Sequence, residues 1–257
     1  MLLKIAAVTT GVFALRYRWW RMPISKHYPR ILMYHMISNP LPDSKGSKWC
    51  VAPQDFAKQM QYLHDHGWQA FTMSELMQHD KMPPKSLAIT FDDGFANVYE
   101  HAMPILQSLG LKSTHYLLSK SQTNDWDAEK GIPSEALLSV QQVKTMLATG
   151  LVEIGVHGQQ HRSLTTMTAD RVVEELSQAK EALETRYGVT CRSLAYPFGC
   201  WNEDVLEMAQ ECGFDHAVAV ANAVYRPGQD HCFAIPRLTM DGRRSGLLDF
   251  ASKLSRG

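Results

Sequence analysis

Two adjacent carboxylates and two closely spaced imidazoles carry most of the chemistry legible in this chain. Thr90-Phe91-Asp92-Asp93-Gly94 sets two aspartates side by side before a glycine that permits a tight turn. Neighbouring residues of an extended chain point to opposite sides, so the pair suits two tasks. One carboxylate can bind a metal ion while the other acts as a base. Taken alone, Asp-Asp-Gly is also an ordinary turn. His157-Gly158-Gln159-Gln160-His161 places two imidazoles four positions apart, a spacing that on a helix or tight turn offers both rings to one ion. Gly155 and Gly158 disfavour a regular helix, so a turn following a strand is expected. His-His-Asp is a workable ligand set for zinc or a related divalent ion, with positions left for water and substrate. The third cluster is Arg192-Ser-Leu-Ala-Tyr196-Pro197-Phe198-Gly199. An arginine opening a strand can pair with a carboxylate and hold it ionised, or make a plain surface salt bridge. Turn backbone near Tyr196 can offer an N–H to a developing oxyanion.

Residues so far apart in sequence need a scaffold that gathers them. Strands are expected at 30–34, 86–91, 112–118, 151–156, 192–196 and near 216–220, with residues 38–52 read as a loop. Phe56, Met60 and Leu63 recur at helical spacing before Gly67. A helix over 97–109 contains Pro104, and Ser139-x-x-Gln142 is a capping box for a helix that Gly150 closes. Val172, Leu176, Ala179 and Leu183 stripe a helix over 169–186, and another helix covers 202–211. Strands alternating with helices imply an α/β fold with a largely parallel sheet, open or closed into a barrel. The polar residues above follow strand C-terminal ends, the edge where such folds assemble active sites.

The totals allow one large α/β domain or two small ones: 257 residues, 45% hydrophobic and 20% charged. Lys plus Arg and Asp plus Glu are 26 each, so no basic surplus argues for nucleic acid. The five cysteines form no C-x-x-C pair, which indicates separate reduced thiols rather than a disulfide framework or zinc ribbon. Residues Ile5 to Leu15 are apolar and are followed by Arg16, Arg18, Trp19, Trp20 and Arg21. That run is shorter than the roughly 20 residues of a spanning helix. The heavier positive charge after it favours a peripheral membrane anchor through residues 1–22, with the domain facing the cytoplasm. An exported or periplasmic form is the alternative. Residues 1–29 are therefore set apart from a domain over 30–257.

Together the clusters resemble the polysaccharide deacetylases (carbohydrate esterase family 4, or NodB-homology domains). Thr90–Gly94, His157–His161 and Arg192–Gly199 are similar to that family's three motifs, and the likeness runs from about Arg30 to Asp241, including Phe233-Ala-Ile-Pro-Arg237. The resemblance implies an irregular (β/α)7-type barrel with one divalent metal, Zn2+ with Co2+ or Ni2+ as alternatives. Asp93, His157 and His161 would be its ligands, Asp92 the base and Arg192 the residue orienting it. The Tyr196 backbone would serve the oxyanion, with Tyr196, Pro197 and Trp201 as substrate contacts. One departure stands out. Where many members carry a late Leu-x-His acid, this chain has Leu238-Thr239-Met240. His35, after Ile31-Leu-Met-Tyr34, resembles the early histidine of the branch that includes poly-N-acetylglucosamine deacetylases and would take the acid role. The implied reaction removes the N-acetyl group of an amino sugar in a poly- or oligosaccharide. Alternatives are deacetylation or deformylation of a lipid-linked sugar, a carbohydrate-binding relative without catalysis, and a glycoside hydrolase using two separated carboxylates and no metal. Trp126, Trp201 and Tyr99 are candidates to stack on sugar rings, although such aromatics more often pack.

Overall fold

Residues 22–39, 45–79, 82–130 and 132–257 are described by a computed structural model. Of residues 1–22, expected to form an anchor or signal, all but Met22 lie outside that set. No described helix is long and apolar enough to cross a membrane. Residues just after the run lie against the C-terminal helix Leu247–Arg256, where the Ile24 amide donates to the Ser255 carbonyl at 2.8 Å.

The main sheet is built from β1 (Arg30–Tyr34), β4 (Gln69–Phe71), β5 (Ser86–Phe91), β6 (Ser113–Leu117), β7 (Val152–Val156), β8 (Ser193–Ala195), β9 (His216–Val218) and β10 (Leu238–Thr239). Its order is β10-β1-β5-β6-β7-β8-β9, with β4 beside the first half of β5, and every paired ladder is parallel. β2 (Met36–Ile37) and β3 (Cys50–Val51) form a separate two-stranded ladder. Between β9 and β10 the chain bridges the two edges of the curled sheet. Ile235 pairs with Val218 of β9, and Leu238 then pairs with Leu32 of β1. This is the expected α/β architecture of (β/α)7 type.

Alternation along the strands sorts side chains between the inside of the curl and the helices outside it. Ile31, Ala88, Tyr116, Val218 and Ile235 share one cluster, whereas Leu32, Tyr34, Leu87, Ile89 and Phe91 belong to another that includes Phe56, Met60 and Leu63. Those last three are the buried stripe of helix Pro53–Asp65, and full burial stabilises each by roughly 1.5–3 kcal/mol. Tyr116 crosses the interior over Gly155, where a Cβ would lie 2.5 Å from the ring.

Pro104 is accommodated by a widened turn. It has no N–H to donate and its ring crowds the carbonyl four residues back. A turn of π-helix, Val98–Ala102, precedes helix Met103–Leu109, and the Met103 amide bonds to Val98. The segment read as a loop over 38–52 carries a 3-10 turn, Lys45–Trp49, and then β3. Among the described residues, β2, β3, β4, helix Met73–Gln78, β10 and helix Leu247–Arg256 escape the sequence patterns. The strands among them have two or three residues, too few to show a period.

Candidate active site

Strand register brings the chemical residues level. Tyr34 pairs with Phe91 and Phe91 with His115, so β1 and β5 finish side by side with His35 and Asp92 immediately beyond. The Asp92 amide donates to the Tyr34 carbonyl at 3.0 Å. Leu117 pairs with Val156, and the His157 amide extends that ladder to the Leu117 carbonyl at 2.9 Å. The whole set therefore gathers at the carboxyl edge of the sheet.

Asp92 and Asp93 meet different partners, Arg237 and the two histidines. Asp93 has φ of 69° and Gly94 φ of 79°, a reversal that turns the chain sharply after β5. A Cβ on Gly94 would also meet the Leu117 side chain at 2.8 Å. Three of the five non-glycine residues with left-handed backbone among the described residues, Asp93, His161 and Phe198, line one cleft. Such backbone strain concentrates where a site must hold an unusual geometry.

Asp93, His157 and His161 converge. The Nε2 atoms of His157 and His161 lie 3.1 and 3.3 Å from Asp93 Oδ1, and all three side chains are buried. Burial opposes charge on each partner. Even so, Asp93 is held well below the usual carboxylate range and His157 is raised, because each supplies counter-charge to the other. His157 Nδ1 is 2.7 Å from the Ala195 carbonyl, which accepts its proton and turns Nε2 toward Asp93. Oδ1 of Asp93 is buried without a well-aligned hydrogen bond. Two ligands about 2.1 Å from a tetrahedral ion stand roughly 3.4 Å apart, close to the spacings found. The residues fit a divalent cation.

Asp92 has a different partner from the one expected. Arg192 opens β8 at the surface, where it pairs with Asp215 at 2.8 Å and both side chains are about half exposed. The guanidinium on Asp92 belongs to Arg237, with Nη1 and Nη2 each 2.7 Å from a carboxylate oxygen. Arg237 is fully buried. It sits in the segment joining β9 to β10, also donates to Thr90 Oγ1 at 3.1 Å, and lies over the Tyr116 ring. Burial alone would raise the Asp92 carboxyl; the charge and hydrogen bonds of Arg237 more than offset that and keep it below its ordinary value. The assignment of Arg192 to Asp92 is therefore corrected to Arg237. The reason is directional: Arg192 precedes the strand at its amino end, whereas Asp92 follows β5 at the carboxyl edge. A lone arginine in Phe233-Ala-Ile-Pro-Arg237, otherwise apolar, was the available signal.

The cleft, about 140 Å³, is walled by His35, Trp49, Trp126, Phe198 and Tyr196 around the carboxylates and imidazoles. The His35 ring packs 4.4 Å from Trp49, and its buried Nδ1 has no hydrogen-bond partner. Burial lowers the His35 pKa, a shift that Asp93 and Asp92 oppose. The Tyr196 amide lies 3.5 Å from the Val218 carbonyl, at the outer limit of a hydrogen bond, and its hydroxyl donates to the Phe233 carbonyl. Pro197 is buried and forms no part of the cleft wall, a position held instead by Phe198. Trp201 is exposed beside Tyr196, ring centroids 6.4 Å apart, and Trp126 lies over His161. The cysteines are free.

A buried Asp-His-His cluster and a buried Arg-Asp pair thus stand together at the carboxyl edge of a curled parallel sheet. Residues 79–217 match the Polysaccharide deacetylase family, and the chain belongs to that family. It is 31% identical over 192 residues to YxkH of Bacillus subtilis (strain 168), covering 73% of this chain and 63% of that protein, so it spans under two thirds of that relative. A Staphylococcus aureus (strain MRSA252) poly-beta-1,6-N-acetyl-D-glucosamine N-deacetylase is 22% identical over 230 residues, 84% of this chain and 77% of that one. Among solved structures, the polysaccharide deacetylase BC0361 from Bacillus cereus superposes with a TM-score of 0.75 at 25% identity, covering 88% and 69% of the two chains. IcaB from Ammonifex degensii shares the fold, with a TM-score of 0.74 at 23% identity over 91% of this chain and 99% of its own.

Proposed function

We propose that this protein hydrolyses the N-acetyl groups of a poly- or oligosaccharide of N-acetylglucosamine type, releasing acetate and leaving free amines. The observation that carries this reading is the pairing of Asp93-His157-His161 with a separate, arginine-held Asp92 in one cleft. The S. aureus relative, whose name states that activity on poly-β-1,6-N-acetyl-D-glucosamine, supports the choice of substrate class.

Asp93, His157 and His161 would hold a divalent ion, most suitably Zn2+ given two imidazoles and one carboxylate. When bound, such an ion polarises a carbonyl and lowers the pKa of water. The chain's own residues account for the rest. Asp92, kept ionised by Arg237, accepts a proton from the attacking water. The Tyr196 amide, only weakly engaged by Val218, donates to the oxygen of the acetyl carbonyl as negative charge gathers there. His35, with an uncommitted buried nitrogen in the same cleft, delivers a proton to the departing amine. Trp49, Phe198 and Trp126 exclude bulk water from the acetamido group.

The direct test is acetate release from β-1,6-linked N-acetylglucosamine oligomers by the purified protein, with and without added Zn2+ or Co2+. Release that depends on added metal is expected. Binding of the glycan with no acetate under any metal would overturn the enzymatic reading.

A further inference from the structure

The two histidines of the Asp-His-His cluster are held in different ways. His157 takes its orientation from the hydrogen bond between Nδ1 and the Ala195 carbonyl, 2.7 Å long. His161 has no such bond, because its Nδ1 is buried without a partner. Its backbone stands at φ of 54°, in the left-handed region. Two aromatic rings bracket the imidazole instead. Trp126 stacks on it with centroids 4.6 Å apart and an interplanar angle of 28°, and Phe198 meets it edge-on at 4.3 Å and 70°. We infer that Trp126 and Phe198 are positioning residues, an aromatic clamp that aims His161 Nε2 at the cation site where a hydrogen bond would otherwise do so.

Both jaws of the clamp are themselves anchored. Trp126 stands on the 3-10 turn Asp125–Lys130, and buried Asn124 pins that turn. The Asn124 side chain accepts from the Glu135 amide at 2.6 Å and donates to the Pro133 carbonyl at 3.2 Å, while its carbonyl accepts from the Asp127 amide. Phe198 is carried in a left-handed conformation by the turn after β8. Groups that orient a metal-bound histidine control affinity even though they never touch the ion. Here the orienting contact comes from a loop, so cation binding and the order of that loop are linked. Trp126, a candidate sugar platform by composition, has its face turned to the ligand.

The inference rests on the reading that Asp93, His157 and His161 bind a divalent ion, and the test separates the two. Zn2+ affinity of the full chain is measured by competition with a chromogenic chelator, together with the visible absorption of the Co2+ form. Three variants are compared with the parent: Trp126→Ala, Trp126→Phe and Phe198→Gly, the last chosen because glycine tolerates the left-handed backbone. Trp126→Ala should weaken Zn2+ binding by about 10- to 100-fold and alter the Co2+ spectrum, as loss of an outer partner typically does. Trp126→Phe should restore most of the affinity, and Phe198→Gly should fall between. Circular dichroism before metal is added guards against a folding defect, and the Phe variant against a loss of bulk alone. If the parent binds no Zn2+, the metal reading itself fails. If the parent binds and Trp126→Ala binds equally well, only the clamp is refuted. A raised KM for glycan with unchanged Zn2+ affinity would likewise refute it and return Trp126 to a sugar platform.

Discussion

Replacing Arg237 tests the centre more sharply than replacing any residue of the Asp-His-His cluster. In the parent, Asp92 is buried, and the two 2.7 Å contacts from Arg237 are its counter-charge. Arg237→Met keeps the bulk and removes the charge. Burial then outweighs what His157 and His35 still contribute against it, and the Asp92 pKa rises. A base works only when deprotonated, so a raised pKa moves the acid limb of kcat/KM to higher pH. At a pH below the new limb this means roughly 10- to 1000-fold less activity, recovering in part as pH increases. Breaking a buried pair also costs about 3–5 kcal/mol of stability, so thermal melts must accompany the kinetics. Arg237→Lys retains charge without the fork and should shift the limb less. Arg192→Ala is the control. Its bridge to Asp215 is exposed and screened by solvent, and it does not reach Asp92, so its pH profile should match the parent. The assay is acetate release across pH 4 to 9, taken as about the practical range for these ionisations. A superimposable profile for Arg237→Met, or a displaced one for Arg192→Ala, would refute the reasoning.

Three further outcomes are expected. Asp92→Asn should retain bound metal yet lose about 10²-fold or more in kcat, as the loss of a general base typically does; full activity with metal bound would reject Asp92 as the base. His157→Ala should lose the metal itself, read by metal analysis after dialysis, and a chelator should inactivate the parent reversibly; retained stoichiometric metal in the variant would contradict the ligand assignment. Acid should destabilise the fold through two buried histidines outside the site. Burial lowers His115 to about 3 and His216 to about 4, from 6.5. Both stay neutral in the native state while the unfolded chain takes up protons below pH 6.5, so stability falls as pH drops through that value. At pH 5 each accounts for about 2 kcal/mol relative to pH 8. His216 makes no side-chain hydrogen bond, so His216→Leu should remove about half of this loss in urea melts at the two pH values; an unchanged pH dependence would count against the assignment.

Much of the fold can be read from local pattern. The stripe Phe56-Met60-Leu63, the capping box at Ser139 and Gln142, and the stripe Val172-Leu176-Ala179-Leu183 all lie where the structure has helices. Each is decided by contacts within a few turns. The central strands are legible for a similar reason: a strand covered on both sides is apolar almost throughout, as Ser86–Phe91 is. Short pieces leave no such trace. β10 has two residues and exists because β1 offers an unpaired edge to a chain returning from β9. No period in the sequence announces that.

The candidate site divides along the same line. Asp92, Asp93, His157 and His161 are marked by sequence, because Asp92 and His157 follow directly on strands whose apolar runs are visible and Asp93 and His161 lie within a few residues of them. What holds those residues is decided by tertiary structure. The partner of Asp92 is 145 residues away in Arg237 rather than at Arg192, since strand direction sends one arginine into the curl and leaves the other at the surface. Likewise, nothing local links Trp126 to His161. Sequence supplies functional groups and their spacing along the chain, whereas orientation, burial and counter-charge come from elements that meet only when the sheet curls. For that reason the candidate ligands are legible in the sequence and their supports are not.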